Sequence, residues 1–492
     1  MQAKPSEQKK VTFSFDKEKN FSEWFSEIVK RAELADLRYN VKGFVVFQPW
    51  SVWSMEAMYS DLEKILQAKG HSPYWYPSVI PEKNFYLEKE HVEGFAPGVF
   101  WVSEAGSGDK LEERLALRPT SETAFYQMFS LWIRSYKDLP FKTYQRANIW
   151  RYETKATRPF LRSREFHWIE AHCAFPTEKD AMAQVHEDME TTKETLYEKW
   201  GLPFIFFRRP QWDKFAGAVD TYAADAFMPD GKFLQLPSTH NLGQNFSKPF
   251  NVKFMDKDGK EQLAFLTCYG PCISRIFAGV VSVHSDNRGL VFPFGIAPQQ
   301  IVIVPILVGK GEEKILKAVK SMQQSFQSKG YRVVVDDSDK RPGEKFFYWE
   351  MKGVPLRFEI GPRELAKKQV IAFRRDTDEK KVVKISTLEK FVEKSAEEIS
   401  KNLKSRADKK FKNFIVDAKT FEEVKTVLAK RHIARVSFCS NEMDGAKCAE
   451  RVEKELQATV RGTRVDKKEK PFSDCVVCGK PAKEVTYIAF QY

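Results

Sequence analysis

The cationic and carboxylate side chains between residues 146 and 172 have the composition of an anion-binding site. The pattern predicts a strand, a charged loop and a return strand. Arg151 and Glu153 are separated by one residue, so we expect them on the same face of an extended strand. The loop adds Arg162 and other cations. A guanidinium group can bind phosphate through two parallel hydrogen bonds, and it can stack on a planar base. The segment therefore favours a nucleoside triphosphate as ligand, although a solvated surface hairpin would have a similar composition.

Two further segments carry more specific motifs. The first is RPTSET at 118–123, and the second is LGQNF at 242–246, which Arg275 follows. With Pro77 as a motif 1 proline, Arg151–Glu153 as motif 2 and Arg275 as motif 3, the chain resembles the class II aminoacyl-tRNA synthetases. Within that class it is most similar to the prolyl-tRNA synthetases of archaeal and eukaryotic type. The resemblance covers nearly all of the chain from about residue 21 onwards.

The resemblance implies an ATP site in which an amino-acid carboxylate attacks the α-phosphate. Arg151 would hold the α-phosphate and the carboxylate, and Arg275 would clamp phosphate or stack on adenine; these two would be the catalytic residues. The chemistry needs positioning and cations rather than a nucleophilic side chain. The further ATP and magnesium contacts that the resemblance implies come from Glu153, Arg162, Ser163, Phe166, Gln235 and Ser238.

The resemblance also implies a pocket for L-proline. Thr120 and Glu122 would accept hydrogen bonds from the secondary ammonium group. From the residues alone, the same segment predicts the N-terminus of a helix, and both interpretations can hold together. The other residues implied for this pocket are Phe95, Arg151, Trp168, His172, Phe215 and His240.

Composition limits the other possibilities. Lys and Arg number 80 against 67 Asp and Glu, giving a net charge of +13, which favours a polyanionic partner. The resemblance implies that this partner is tRNA(Pro). No apolar run approaches the ~20 residues of a membrane span, and the polar N-terminus lacks a signal core, so we expect no membrane association and a cytoplasmic location. Seven cysteines are too few for a disulfide framework in a chain of 492 residues.

The pattern predicts an α+β multidomain protein. We expect a flexible charged tail over 1–20, a class II catalytic domain with an antiparallel sheet over 21–298, and an α/β anticodon-binding domain over 299–400. Short apolar strands are predicted within 263–294, and from 299 strands alternate with helices, which is typical of a largely parallel sheet. The candidate anticodon-binding side chains are Lys345, Glu350 and Arg363, each of which could equally be a solvated surface residue.

The last predicted domain, over 401–492, is a small α+β domain that binds zinc. It contains Cys439, Cys448, Cys475 and Cys478, and four thiolates without an open position are typical of a structural zinc site. Free buried cysteines are the alternative, and packed thiols are the prediction for Cys173, Cys268 and Cys272. The chain ends in an alternating aromatic strand, and the resemblance implies that Tyr492 anchors this end to the catalytic domain.

Three expectations concern assembly and specificity. A helix over 53–69 and a strand ending at Pro77 form the class II dimer motif, so we expect a homodimer of C2 symmetry. Only about sixty residues separate His172 from Gln235, which leaves no room for a large inserted editing domain. Two other functions remain open: a class II synthetase for another small amino acid, and a non-catalytic synthetase-like RNA-binding protein.

Overall fold

The computed structural model describes residues 13–87, 94, 98–154, 156–307 and 311–492. Phe95, predicted to line the amino-acid pocket, lies outside the described residues, as do the first twelve residues of the predicted tail. Among the described residues, no helix combines the length and the apolar character needed to cross a membrane.

The first domain surrounds a central sheet with helices. Its strands follow the order β3 (Ser72–Pro73), β7 (Phe141–Trp150), β8 (Glu165–Phe175), β14 (Phe265–Tyr269), β11 (Lys232–Gly243), β10 (Asp220–Phe227) and β9 (Ile205–Arg208), and every neighbouring pair from β7 to β9 is antiparallel. The sheet is therefore the antiparallel one that the sequence predicted. In chain order the elements are α1 (Phe21–Arg31), β1 (Ala35–Asp36), β2 (Val46–Phe47), α2 (Pro49–Ala68), β3 (Ser72–Pro73), β4 (Val79–Pro81), α3 (Glu82–Phe85), β5 (Phe100–Glu104), β6 (Lys110–Leu117), α4 (Glu122–Trp132), β7 (Phe141–Trp150), β8 (Glu165–Phe175), α5 (Glu178–Thr192), β9 (Ile205–Arg208), β10 (Asp220–Phe227), β11 (Lys232–Gly243), α6 (Ser247–Phe250), β12 (Lys253–Met255), β13 (Glu261–Leu263), β14 (Phe265–Tyr269) and α7 (Ile273–His284).

Local patterns explain the two helices that support this sheet. Helix α2 begins at Pro49, whose missing N–H suits a first helical position, so the helix starts four residues before the predicted one. Its buried side chains include Met55, Met58 and Leu62. Helix α7 is apolar on nearly all sides and is buried over most of its length, as expected for a helix between a sheet and a second helix.

Three predictions over the first domain are wrong. Residues 74–77 form no strand; two short strands, β3 and β4, flank them. Strand β7 ends at Trp150, because the Glu153 N–H turns back onto the Arg151 carbonyl at 2.7 Å. The strands predicted over 263–294 end at Tyr269, and the apolar run that follows forms α7.

Residues 13–20 are packed rather than tail-like. Phe13 belongs to the core of the first domain, and Lys17 is 5% exposed. The Lys17 Nζ donates to the Val283 carbonyl at 3.2 Å, and the Lys17 N–H donates to the Asn287 side chain at 2.9 Å. Long-range carbonyl acceptors therefore hold a segment whose local charge pattern predicted flexibility.

The middle domain has a five-stranded mixed sheet. Strands β16, β15 and β17 are parallel, as predicted, but β18 and β19 are antiparallel because short connections join them to their neighbours. Its long last helix runs across the predicted boundary at residue 400. The elements are β15 (Ile301–Pro305), α8 (Glu312–Gln327), β16 (Val333–Val335), α9 (Pro342–Met351), β17 (Leu356–Ile360), α10 (Pro362–Ala366), β18 (Gln369–Arg374), β19 (Lys380–Lys384) and α11 (Leu388–Lys412).

The C-terminal domain continues the central sheet of the first domain. Its last strand, β24, pairs with β11 in parallel, with Lys232 opposite Phe490, and β23 pairs with β9, with Thr463 opposite Arg208. The two domains therefore share backbone hydrogen bonds at two places. The elements are β20 (Ile415–Ala418), α12 (Phe421–Ala429), β21 (Ile433–Phe438), α13 (Ala446–Leu456), β22 (Thr459–Val460), β23 (Thr463–Arg464) and β24 (Glu484–Gln491).

Candidate active site

A cavity of about 180 Å³ opens where the start of α4 meets strands β8, β11 and β14. It collects most of the residues that the sequence assigned to an ATP or amino-acid site, although they come from distant segments. The predicted residues that line it are Thr120, Glu122, Arg151, Phe166, Trp168, His172, Phe215, Gln235, Ser238, His240 and Arg275.

Two arginines form a cationic end of the cavity. The Arg151 guanidinium lies over the rings of Phe166, at 5.2 Å, and Trp168, at 5.8 Å, and its Nε donates to the Pro119 carbonyl at 2.9 Å. Burial, with repulsion from Arg275, lowers the pKa of Arg151 to about 10. Arg151 is therefore still a cation at neutral pH, and an anionic ligand beside it would offset the repulsion from Arg275.

Side chains in the described part of the charged loop after β7 contact one another. Arg162 Nη1 lies 3.6 Å from Glu153 Oε1, and Ser163 Oγ donates to the Glu165 carbonyl at 2.6 Å. None of the predicted ligands Glu153, Arg162 and Ser163 lines the cavity itself. A ligand that used Arg162 or Glu153 would have to extend from the cavity toward this loop.

A buried carboxylate network also borders the cavity, close enough to Arg151 for Glu122 and Glu170 to act on its charge. Ser121 stands at the N-cap of α4, where the sequence predicted a helix N-terminus, but its hydroxyl accepts no helix N–H and donates instead to Glu170 on β8. The Thr120 hydroxyl donates to Glu122, and both residues are at most 2% exposed. Carboxylates held here can accept hydrogen bonds from an amine, so the helix start and the ligand site coincide.

His172 links this network to the core. Its Nδ1 lies 3.1 Å from the Tyr126 hydroxyl and its Nε2 lies 3.4 Å from Glu170 Oε2, while its ring stacks on Phe125 with centroids 4.0 Å apart. Burial alone would raise the pKa of Glu170, but hydrogen bonds from His172 and Ser121 hold that pKa below its usual value. Glu170 is therefore an anion.

His240 forms an uncharged wall. Its Nδ1 lies 2.9 Å from the Thr221 hydroxyl and its Nε2 lies 3.0 Å from the Ser238 hydroxyl. The Phe215 ring packs against it with centroids 4.6 Å apart. Burial lowers the pKa of His240 to about 3, so the imidazole is neutral near pH 7 and acts through shape and hydrogen bonding.

Several lining residues were missed by the sequence analysis. Glu170 lies two residues before His172 on the same strand, so strand alternation could have indicated it. Arg209 carried no local signal, because its partner Asp225 lies on another strand. The predicted packed thiols Cys173, Cys268 and Cys272 are all buried, which confirms their packing; Cys268 and Cys272 also line the cavity.

Comparisons with known proteins identify the family. Residues 100–284 match the tRNA synthetase class II core domain (G, H, P, S and T), residues 300–395 the anticodon binding domain, and residues 421–492 the prolyl-tRNA synthetase C-terminal domain. The chain is 48% identical over 479 residues to a proline–tRNA ligase of Thermofilum pendens, covering 97% of this chain and 98% of that protein. This chain belongs to the prolyl-tRNA synthetase family.

Other prolyl-tRNA synthetases agree with this membership. The proline–tRNA ligase of Methanopyrus kandleri is 41% identical, over 96% of both proteins. The solved structure of the Giardia lamblia enzyme in complex with prolyl-adenylate matches with a TM-score of 0.94 and 38% identity, covering 98% of this chain and 100% of that chain. The Cryptosporidium parvum enzyme complexed with halofuginone and AMPPNP matches with a TM-score of 0.90 and 32% identity, covering 98% and 99%.

The four C-terminal cysteines form a cluster. The sulfur atoms of Cys439, Cys448, Cys475 and Cys478 all lie within 4.8 Å of one another. The loop between the last two cysteines closes tightly, because the Gly479 N–H donates to the Cys475 carbonyl at 2.9 Å and Gly479 has a φ of +70°. Four convergent thiols fit the donor set and spacing of a tetrahedral zinc ion.

Tyr492 lies against the first domain. Its hydroxyl donates to Asp230 Oδ2 at 2.7 Å, and its backbone N–H donates to the Phe233 carbonyl at 3.1 Å. The Arg158 guanidinium, from the charged loop, lies 5.9 Å from the ring centroid. The terminal residue therefore contacts both the central sheet and the loop after β7.

The predicted anticodon-binding residues have different surroundings. Lys345 is 3% exposed and its Nζ donates to the Asp336 carbonyl at 3.0 Å, so its side chain does not face solvent. Glu350 accepts from Arg357 Nη1 at 3.2 Å. Only Arg363 is exposed. Internal polar partners therefore engage Lys345, which is buried, and Glu350, which is partly buried.

Proposed function

We propose that this protein activates L-proline with ATP to form prolyl-adenylate and transfers the prolyl group to tRNA(Pro). The observation that carries the proposal is the cavity: its lining includes two arginines, Arg151 and Arg275, and two buried carboxylates, Glu122 and Glu170, in a member of the prolyl-tRNA synthetase family. An amino acid requires these two opposite charges, because its carboxylate must meet the α-phosphate while its amine is held.

The cationic end supports the ATP roles. Arg151 holds the α-phosphate and the proline carboxylate, and Arg275 stabilises the charge that develops on phosphate or stacks on the adenine. Phe166 supplies an aromatic surface for adenine beside Arg151. The remaining proposed ATP contacts are Glu153 and Ser163 at the adenine side, Arg162 at the γ-phosphate, and Gln235 and Ser238 at the ribose and magnesium.

The carboxylate end supports the proline roles. Thr120 and Glu122 accept from the secondary ammonium, and the rings around them enclose the pyrrolidine. Gly270 packs closely against Trp168, since a Cβ at position 270 would lie 3.2 Å from the indole ring. The other proposed walls are His172, Phe215 and His240, with Phe95 assigned from the sequence alone.

The cysteine cluster supports a structural zinc ion. Cys439, Cys448, Cys475 and Cys478 would fill all four tetrahedral positions, so the ion would have no open site for catalysis. It would hold the loop 475–479 beside α13 and thereby locate the start of β24.

The exposed aromatic residues near α2 support a homodimer. Trp75 is 91% exposed and Trp53 is 52% exposed, beside the segment that resembles motif 1. Burying two such side chains in a C2 contact would remove a large apolar surface from water. Sedimentation that shows a monomer at micromolar concentration would contradict the dimer.

The tRNA role rests on the net charge of +13 and on the match to an anticodon binding domain. Arg363 remains the proposed anticodon contact, since Lys345 and Glu350 are engaged within the protein. The free thiols and the tRNA substrate favour a cytoplasmic location.

ATP–pyrophosphate exchange with a panel of amino acids tests the proposal. We expect exchange that depends on proline and is strongest with it. Faster exchange with another small amino acid would favour a different class II synthetase. Exchange with none of them would favour a non-catalytic RNA-binding protein.

A further inference from the structure

A buried group of three charged side chains connects the C-terminal domain to the wall of the cavity. Arg209, Asp225 and Arg461 are 2%, 0% and 1% exposed. Arg209 Nη2 lies 2.7 Å from Asp225 Oδ1, and Arg461 Nε lies 2.8 Å from Asp225 Oδ2. One carboxylate thus binds two guanidinium groups, and the only other carboxylate paired with Arg209 among the described residues is the more exposed Asp213, at 3.9 Å. Since buried charge is weak evidence for stability, the second arginine calls for a functional explanation.

Arg209 connects this group of charged side chains to the cavity. It lines the cavity, and its Nη2 donates to Gln235 Oε1 at 3.3 Å. Arg275 Nη1 donates to the backbone carbonyl of the same Gln235 at 3.4 Å. Gln235 is therefore contacted at its side chain by Arg209 and at its backbone by Arg275.

The C-terminal domain holds Arg461 in a defined position. Its N–H donates to the Tyr487 carbonyl at 2.7 Å, its Nη1 donates to Thr459 Oγ1 at 3.2 Å, and its own carbonyl accepts from Arg209 Nη1 at 3.1 Å. The next residue, Gly462, has a φ of +104°, and a Cβ there would lie 2.0 Å from the Arg208 carbonyl oxygen. Only glycine permits this approach of the two domains.

We propose that Arg461 is a positioning residue of the ATP site: by sharing Asp225 with Arg209, it fixes the Arg209 guanidinium against Gln235. The C-terminal domain then contributes to adenylate formation without touching the substrates. This inference rests on the proposed function, and in particular on Gln235 as an ATP contact.

The test is a double-mutant cycle in the full-length protein. KM for ATP and KM for proline are measured by ATP–pyrophosphate exchange for Arg461→Met, Gln235→Ala and the double variant. We expect Arg461→Met to raise KM for ATP about tenfold, the equivalent of one lost charge-assisted contact, with KM for proline changed less than about twofold. In the Gln235→Ala background, Arg461→Met should change KM for ATP by no more than about twofold, because Arg461 affects ATP binding through Gln235.

Arg435→Met is the matched control. Arg435 also belongs to the C-terminal domain and also binds two carboxylates, Asp417 at 2.6 Å and Glu469 at 2.9 Å, but both lie in its own domain. We expect this variant to leave both KM values unchanged.

Three results would overturn the inference: an equal rise of both KM values in Arg461→Met, an undiminished rise in the Gln235→Ala background, or no rise at all. If Arg461→Met does not fold, the same KM values are measured for Arg461→Lys instead. Lysine keeps the charge but cannot bridge both carboxylate oxygens, so a folded variant must still raise KM for ATP alone. A wild-type protein without proline-dependent exchange would instead refute the proposed function, before any variant is compared.

Discussion

Replacing Arg151 by alanine tests the cationic end of the active site most directly. The change removes a guanidinium held between Phe166, Trp168 and the Pro119 carbonyl, where we propose that phosphate charge develops. Loss of one such donor costs about 3–4 kcal/mol of transition-state stabilisation, or roughly a 10²–10³-fold fall in rate. Arg275 remains in place, so we expect a residual rate rather than none.

The fold should tolerate this change. The Pro119 carbonyl loses one hydrogen bond, a cost of about 1 kcal/mol, whereas the repulsion between Arg151 and Arg275 disappears. The melting temperature should therefore shift by only a few degrees. Arg151→Lys should be intermediate in rate, because lysine keeps the charge without the planar pair of donors.

The assay is proline-dependent ATP–pyrophosphate exchange, with the melting temperature measured in parallel. Arg146→Ala is the control, on the strand that leads to Arg151: its guanidinium binds Glu63 at 2.6 Å and Glu56 at 2.8 Å, both on α2, and it does not line the cavity. We expect that variant to keep its exchange rate. A folded Arg151→Ala protein that exchanges pyrophosphate at near wild-type rate would refute the assignment of this cavity.

Four other predictions concern stability, metal, the terminus and specificity. Burial raises the pKa of Asp188 to about 7, so the folded state holds this proton more tightly than the unfolded chain does. Stability should therefore fall as pH rises from about 4 to 7, by up to about 1.4 kcal/mol per pH unit, and Asp188→Asn should flatten this slope in melting curves taken across the range. Cys475→Ser with Cys478→Ser should lose zinc in native mass spectrometry and loosen the C-terminal domain in hydrogen exchange, whereas a wild-type protein without metal would contradict the site. Deleting Tyr492 should lower proline activation with little change in melting temperature. Unchanged activation would contradict a role of Tyr492 in activation and leave its contacts with a structural role alone. Alanine should be activated measurably, because a small apolar difference gives only ~1–3 kcal/mol of discrimination, and alanyl-tRNA should stay intact; its rapid deacylation by the purified protein would contradict this.

The sequence by itself determined the features that depend on local spacing. The charged segment between β7 and β8, the cysteine cluster and the alternation of strands and helices after residue 299 all follow from neighbouring residue types. Arg151, Thr120 and Glu122 could be nominated because their motifs are short and continuous. The family resemblance then supplied roles for residues that lie far apart in the chain.

Only the tertiary structure decided which charged residues are buried and with whom. Lys17 and Lys345 look like surface lysines in the sequence, yet carbonyl acceptors from other segments bind both. Asp225 and Arg461 are 236 residues apart and meet because β23 and β24 complete the central sheet. A buried charge is tolerated only where partners converge on it, and that convergence depends on topology rather than on local pattern.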